Sequence, residues 1–170
     1  MVVVRQEQPK DIAAVRVIHQ RAFEGPQEAD LVDSLRENCP GLLSLVATME
    51  GRVVGHILFS PAVVEGEDRA VEGMGLAPMA VLPEHQRRGI GSMLVETGIA
   101  RLKDQGCPFV IVLGHAGYYP RFGFVPASRH GIRCEWDAPD DAFMILINDM
   151  TVMSGLAGVA RYRSEFNAAM

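Results

Sequence analysis

The chain has 170 residues, a length that suits one domain with a buried core and is short for two ordinary domains. It carries 16 Lys and Arg against 21 Asp and Glu, and this net charge of −5 argues against a general binder of nucleic acid. Its 3 cysteines form no CxxC pair, so neither a disulfide framework nor a zinc cluster is expected. No signal peptide or membrane span of ~20 apolar residues is evident. We therefore expect one cytoplasmic domain, residues 1–170, without a metal and without nucleic-acid or membrane partners.

Hydrophobic periodicity predicts alternating strands and helices along the chain. In chain order the predicted elements are a strand at Val2–Val4, helices at Ile12–Phe23 and Glu28–Asn38, strands at Leu45–Met49, Val53–Phe59 and Val71–Leu82, a helix at Gly89–Gln105, and strands at Phe109–Leu113 and Phe143–Ile147. The order strand, helix, strand in the middle of the chain predicts a parallel β-α-β crossover. The tail from Gly155 to Phe166 is harder to place, and it is left without an assignment.

The most informative segment is Gln86–Gly91, which joins a predicted strand to a predicted helix. The free amides and the positive dipole end of a helix start favour an anion. Gly89 and Gly91 place no side chain between the backbone and an approaching phosphate. Arg87 and Arg88 add charge that persists at every working pH. The segment therefore predicts a pyrophosphate site.

Two common nucleotide motifs do not fit this segment. A Walker A loop needs G-x-x-x-x-G-K-[ST], and no lysine stands at the required spacing. The dinucleotide fingerprint G-x-G-x-x-G would need glycine at position 94, which is Leu94. A phosphate site with neither pattern leaves coenzyme A as the main candidate.

Two motifs resemble those of the GNAT superfamily of acyltransferases. Gln86-x-x-Gly89-x-Gly91 matches the family's [QR]-x-x-G-x-[GA] signature, and the preceding Met79–Glu84 looks like its fourth strand. Tyr119–Phe124 resembles the family's Y-x-x-x-G-F element after the fifth strand. The resemblance covers roughly residues 2 to 150. It implies an α/β (α+β) fold, a mixed sheet of about six to seven strands flanked by about four helices, with N-acetyltransferase activity.

The resemblance also implies where acetyl-CoA, as co-substrate, would bind. The pantetheine arm would lie against the fourth strand, and one amide near Ala80 or Val81 would polarise the thioester carbonyl. Independently, Pro78 marks a strand edge or a bulge, because proline cannot donate to a sheet ladder. The residues expected to bind the cofactor are Met79, Ala80, Val81, Gln86, Arg87, Arg88, Gly89, Ile90, Gly91 and Ser92.

Two residues receive catalytic roles by the same resemblance. Tyr119 would protonate the departing thiolate, as general acid; the alternative is that it only packs a short turn into the core. Glu72, early in the fourth strand, is the candidate base, where some relatives place a carboxylate that acts through water. His56 and His115 are alternatives as base, with ordinary pKa values in the useful range.

The sequence leaves the acceptor open. A primary amine, on a small molecule or a peptide, is the expected partner, and the acidic residues around Trp136 could attract a cation or form only a solvated loop. A non-catalytic module that binds or senses acyl-CoA on the same fold is the main alternative. A homodimer is suggested by analogy alone.

Overall fold

A computed structural model of the chain describes residues 1–169; position 170, the last of the predicted domain, lies outside them. These residues form nine strands, four α-helices and five short 3-10 helices. The strands are β1 (Val2–Gln6), β2 (Leu43–Met49), β3 (Arg52–Glu65), β4 (Ala70–Val81), β5 (Phe109–Leu113), β6 (Val125–Pro126), β7 (Ile132–Cys134), β8 (Phe143–Ile147) and β9 (Gly158–Arg161). The α-helices are α1 (Ile12–Phe23), α2 (Gln27–Asn38), α3 (Ile90–Asp104) and α4 (Met150–Met153).

The strands form a mixed sheet, as predicted, but with more members. They pair in the order β1-β2-β3-β4-β5-β8-β6, and β9 pairs with β3 and β7. The prediction of six to seven strands was too low, since the described residues form nine. The additional strands, β6, β7 and β9, have two to four residues, too few to show a period in the sequence.

The chain forms two compact units and passes from one to the other after Ser60, Leu76, Gly98 and Arg163. The first unit holds α1, α2, β1, β2, the first part of β3, the last part of β4 and the start of α3. The second holds the other parts of β3, β4 and α3, together with β5 to β9 and α4. One domain over residues 1–170 stays a prediction.

In the first unit, β1, β2 and β3 form an antiparallel meander, with Val4 opposite Ala47 and Leu45 opposite Ile57. Apolar side chains of the strands and of α3 are buried together in this unit. Gly98 of α3 approaches the ring of Phe59, which occupies the place that a Cβ at position 98 would take. Gly98 lies on the same face of α3 as Ile90, and this close packing therefore restricts the position to glycine.

In the second unit, β4 and β5 run parallel, with Met74–Leu76 opposite Val110–Val112. This pairing confirms the predicted parallel strands on either side of α3. The strand β5 then pairs antiparallel with β8, whose bounds, like those of β5, agree with the prediction. Residues Phe109 to Val112 are almost completely buried, as the continuous apolar run predicts for a strand covered on both faces.

The α-helices formed by residues 1–169 have no stretch that is both long and apolar enough to cross a lipid bilayer.

Candidate active site

The loop before α3 has an unusual backbone. Arg87 adopts a left-handed conformation with φ of 62°, and Gly89 does so with φ of 80°. Such a conformation is open to glycine but costs a residue with a side chain about 1 kcal/mol or more. The side chains of Arg87 and Arg88 are exposed, whereas Ile90 is 1% exposed and anchors the helix. The loop thus places two cationic side chains in solvent, and its backbone is fixed by the buried Ile90 that follows.

The first turn of α3 presents its amides beside these cations. The Met93 amide donates to the Gly89 carbonyl over 3.1 Å, so the amides before Met93 lie ahead of this helical bond. Amides in a first turn have no acceptor within their own helix. A Cβ added at Gly89 would meet no atom within 4 Å, which leaves open space in front of the backbone. These features suit an anionic group such as a pyrophosphate.

At the end of β4, the backbone amide and carbonyl of the last residue, Val81, point away from β3. The Leu82 amide donates to the Val54 carbonyl of β3 over 2.9 Å. The Val81 carbonyl instead accepts a 3.0 Å hydrogen bond from Nε2 of Gln86. Because backbone groups of consecutive residues in a strand point to opposite edges, the Val81 amide also faces away from β3.

This alternation distinguishes between the two predicted oxyanion donors. Ala80 and Leu82 are two residues apart, so their amides point to the same edge of the strand, toward β3. Val81 is therefore the better candidate for the oxyanion donor. Met79 is two residues before Val81, so its backbone groups point to the same edge of the strand, as its predicted role in binding the cofactor requires. Pro78 lies within β4, and the Ala77–Pro78 peptide bond is cis. The side chain of Gln86 holds the loop to the strand, and its role in binding the cofactor stays a prediction.

Tyr119 is buried in the second unit, in a 3-10 helix that spans Tyr119–Phe122. Its ring rests on Gly114, where an added Cβ would lie 2.6 Å from Cε2, and it meets Phe124 edge-on at 5.7 Å between ring centroids. Burial, and secondarily the neighbouring Tyr118, raises the pKa of Tyr119 to about 12. The hydroxyl is therefore protonated at neutral pH. Both the predicted packing role and the predicted donor role are compatible with this placement.

Glu72 lies elsewhere in the second unit. Its side chain is exposed near the start of β4, two residues before Met74, which pairs with Val110 at the start of β5. Tyr119 follows the other end of β5, which finishes at Leu113. A five-residue strand spans about 17 Å. The register therefore does not bring Glu72 and Tyr119 together, and the role of Glu72 stays a prediction.

The two histidines considered as bases have opposite environments. His115 is exposed, and its carbonyl accepts the amides of Tyr118 and Tyr119 over 3.0 and 3.4 Å. His56 is completely buried in the first unit, where Nδ1 lies 2.7 Å from Nε2 of His19 and Nε2 lies 2.8 Å from Oγ of Ser44. Burial, then His19 and Arg36, lowers the pKa of His56 well below its usual value. A side chain with no exposed surface has no direct path to an amine.

Two features went unnoticed in the sequence. His19 lies among apolar residues of α1 and is 37 positions from His56, so no local pattern pairs them. Tyr162, in the unassigned tail, is 7% exposed, and Trp136 stacks on it at 5.4 Å. The sign of this residue in the sequence was a tyrosine in a tail that shows no regular hydrophobic pattern.

The predicted cofactor residues, from Met79 to Ser92, all belong to the first unit, whereas Tyr119 and Glu72 belong to the second. Among residues 1–169, no three His, Cys, Asp or Glu side chains are grouped so as to hold a metal ion.

Comparison with known proteins gives consistent matches. Residues 12–124 match the Acetyltransferase (GNAT) family. The uncharacterised N-acetyltransferase YhbS of Escherichia coli K12 is 37% identical over 165 residues, covering 96% of this chain and 98% of YhbS. A crystal structure of YhbS in complex with CoA matches with a TM-score of 0.89 at 36% identity, covering 98% of this chain and 92% of that one. A GNAT family acetyltransferase from Brucella melitensis, in complex with acetyl-CoA, matches with a TM-score of 0.75 at 34% identity over 98% of both chains.

Proposed function

Because the chain belongs to the GNAT family of acetyltransferases, we propose that it transfers an acetyl group from acetyl-CoA to a primary amine by direct attack in a ternary complex. Membership makes the chain an acyltransferase with the GNAT fold. The acetyl donor, the amine acceptor and the residue roles below are the proposal.

The observation that carries the proposal is the loop Gln86–Gly91. Its two left-handed residues, Arg87 and Gly89, lead directly into the first turn of α3. Two exposed guanidinium groups and the free amides of that turn would together bind the pyrophosphate of CoA. The CoA and acetyl-CoA complexes of the relatives support this choice of anion.

The edge of β4 that faces away from β3 would hold the pantetheine arm. The amide of Val81 is oriented to that edge, as argued from the bonds of Leu82 and Gln86. An amide that donates to the thioester oxygen becomes more favourable as negative charge develops there. Val81 is therefore the proposed oxyanion donor, with Met79 binding further along the arm.

The chemical step then balances without a cofactor other than acetyl-CoA. The neutral amine attacks the thioester carbon, a C–N bond forms, and the carbonyl oxygen takes the electron pair. Collapse of this intermediate breaks the C–S bond and releases the thiolate of CoA. Tyr119, whose hydroxyl is protonated at neutral pH, would donate its proton to the thiolate and recover one from the acetylated nitrogen or solvent.

The ammonium form of the acceptor must first lose a proton. Glu72 is the base that the sequence suggests, but it lies nine residues before Val81 in β4, about 30 Å along an extended strand, so it could take a proton from the acceptor only through solvent water. Replacing Glu72 by Gln should lower kcat/KM most at low pH, where little free amine exists. An unchanged pH profile for this variant would remove Glu72 from the mechanism.

A thermal-shift titration with acetyl-CoA tests the proposal first. At a concentration ~100 times Kd, a ligand that binds only the folded state adds about 2.7 kcal/mol, which for a domain of this size is roughly 5–11 °C. No shift at millimolar acetyl-CoA would contradict the proposed co-substrate. A panel of primary amines, small cations and peptide N-termini, assayed by thiol release, then identifies the acceptor class. Binding without release for any amine would favour a non-catalytic acyl-CoA module.

A further inference from the structure

Tyr162, which follows β9, has a ring held by groups from several segments of the second unit. The ring lies against Gly75 of β4, where an added Cβ would be 2.5 Å from Cε2. Trp136 stacks on it with 26° between the ring planes. The Tyr162 amide donates to Oε2 of Glu135 over 2.6 Å. Tyr162 can occupy this place only because position 75 has no side chain.

The hydroxyl of Tyr162 reaches the end of the β4–β5 ladder. It donates to the Ile111 carbonyl over 3.4 Å, a long hydrogen bond. Ile111 directly precedes Val112, whose partner Leu76 is the last residue of β4 in the register with β5. The hydroxyl therefore contacts the backbone beside the last paired residues of these strands.

The proposed acid rests on the glycine that follows the end of β5. Gly114 follows Leu113 directly, and the ring of Tyr119 packs onto Gly114 at the distance given above. One short backbone segment, Ile111–Gly114, thus carries the Tyr162 hydroxyl at its first residue and the Tyr119 ring at its last.

We propose that Tyr162 is a positioning residue for Tyr119: its hydroxyl clamps the end of β5, and the clamped backbone sets where the Tyr119 phenol lies. The inference rests on the proposed function, in which Tyr119 protonates the thiolate. It assigns Tyr162 no contact with substrate. A misplacement of about 1 Å can cost about 10²-fold in rate, so a small shift of Gly114 would be visible in kcat.

The variant Tyr162→Phe removes the hydroxyl and keeps the ring on Gly75. We expect kcat to fall about 10- to 100-fold with the Kd for CoA unchanged. In a Tyr119→Phe background, the same change should have almost no further effect on kcat, because the group that Tyr162 positions is already gone. Tyr118→Phe, which deletes a hydroxyl from the adjacent residue, is the matched control and should keep the wild-type kcat. Additive losses in the double variant, or full activity of Tyr162→Phe, would overturn the inference while leaving the proposed transferase activity intact.

A second measurement needs no acceptor. The chain has 3 tyrosines, so biosynthetic 3-fluorotyrosine gives few ¹⁹F signals, which the single Phe variants assign. In Tyr162→Phe, the signal of Tyr119 should shift and broaden more than that of Tyr118. A Tyr119 signal that stays in place would refute the positioning role. Failure of the wild type to release thiol with any amine would instead count against the proposed function, and the ¹⁹F result would still decide the inference.

Discussion

Nε2 of His19 lies 2.7 Å from Nδ1 of His56, and neither side chain has any exposed surface. Nδ1 of His19 is also buried and has no hydrogen-bond partner among the described residues. Two histidines this close cannot both be charged in a dry interior without a large cost. The pair is therefore neutral in the folded protein, and it joins α1 to β3 only while it stays so.

The first prediction concerns stability in mild acid. Burial, and secondarily the charge of Arg36, lowers the pKa of His19 to about 4 from an ordinary 6.5. Below pH 6.5 the unfolded chain binds a proton that folded His19 does not, so the free energy of unfolding falls as the pH falls. At about 1.4 kcal/mol per pKa unit, His19 alone accounts for a loss of about 3 kcal/mol by pH 4. Urea unfolding at a series of pH values measures this loss.

The control for that series is an exposed histidine. His115→Gln should leave the pH dependence of stability as in the wild type, whereas His19→Gln should make it less steep between pH 6.5 and 4, with the share of buried His56 remaining. Equal slopes for the two variants would show that the acid sensitivity comes from other groups.

The second prediction concerns the cation-bearing loop. Gly89→Asp places a negative charge where the pyrophosphate would bind, and the added Cβ meets no atom within 4 Å. We expect the Kd for CoA to rise at least about tenfold, which corresponds to about 1.4 kcal/mol. Isothermal titration calorimetry with CoA measures the change.

Gly106→Asp is its matched control. Gly106 follows α3 with φ of 82°, close to the 80° of Gly89, and its surroundings are equally open. Both variants therefore carry a similar backbone strain, and a loss of stability alone should appear in both. Equal CoA affinity in the two variants would place the phosphates elsewhere.

The third prediction concerns the proposed acid. Tyr119→Phe should lower kcat by about 10²-fold or more, because a general acid typically supplies 10²- to 10⁴-fold. The Kd for CoA should change little, since the ring still packs on Gly114. Single-turnover thiol release separates this chemical step from binding. A variant with wild-type kcat would leave Tyr119 with its packing role alone.

The fourth prediction sets helix propensity against packing. Gly98→Ala in α3 should gain about 1 kcal/mol from propensity alone. The new methyl group would meet the ring of Phe59, which is completely buried, and such overpacking typically costs about 1–3 kcal/mol. We expect a net loss of stability in thermal or urea unfolding. Ala100→Gly, at an exposed position of α3, should lose about 1 kcal/mol by propensity, and a stabilised Gly98→Ala would show that Phe59 can move.

Much of the fold was readable because its central elements have strong patterns. The bounds of β5 and β8 agree with the prediction, and the helix after the loop begins within one residue of it. The strand β3 was predicted to end at Phe59 but continues to Glu65 through Pro61. A proline inside an apolar run indicates the end of a strand, whereas here β3 continues because it pairs with β4 and with the distant β9.

The sequence predicts which residues form the candidate site but not the backbone conformation that they adopt. The sequence predicts the charge of Arg87, but nothing in it signals a left-handed arginine, because that backbone depends on how Ile90 and Gln86 anchor the loop ends. The direction in which the Val81 amide points follows from the hydrogen bond of Leu82 to β3, a contact between residues 28 positions apart. Tyr162 and His19 depend on similarly distant partners.

The path of the chain through its two units has a practical consequence for dissection. Because the backbone leaves and re-enters the first unit after Ser60, Leu76, Gly98 and Arg163, no single cut separates the two as continuous fragments. Truncation from either terminus removes part of the first unit before the second is freed. Limited proteolysis should consequently yield no stable half-molecule, and the gene offers no internal boundary at which one unit could have been exchanged by simple fusion.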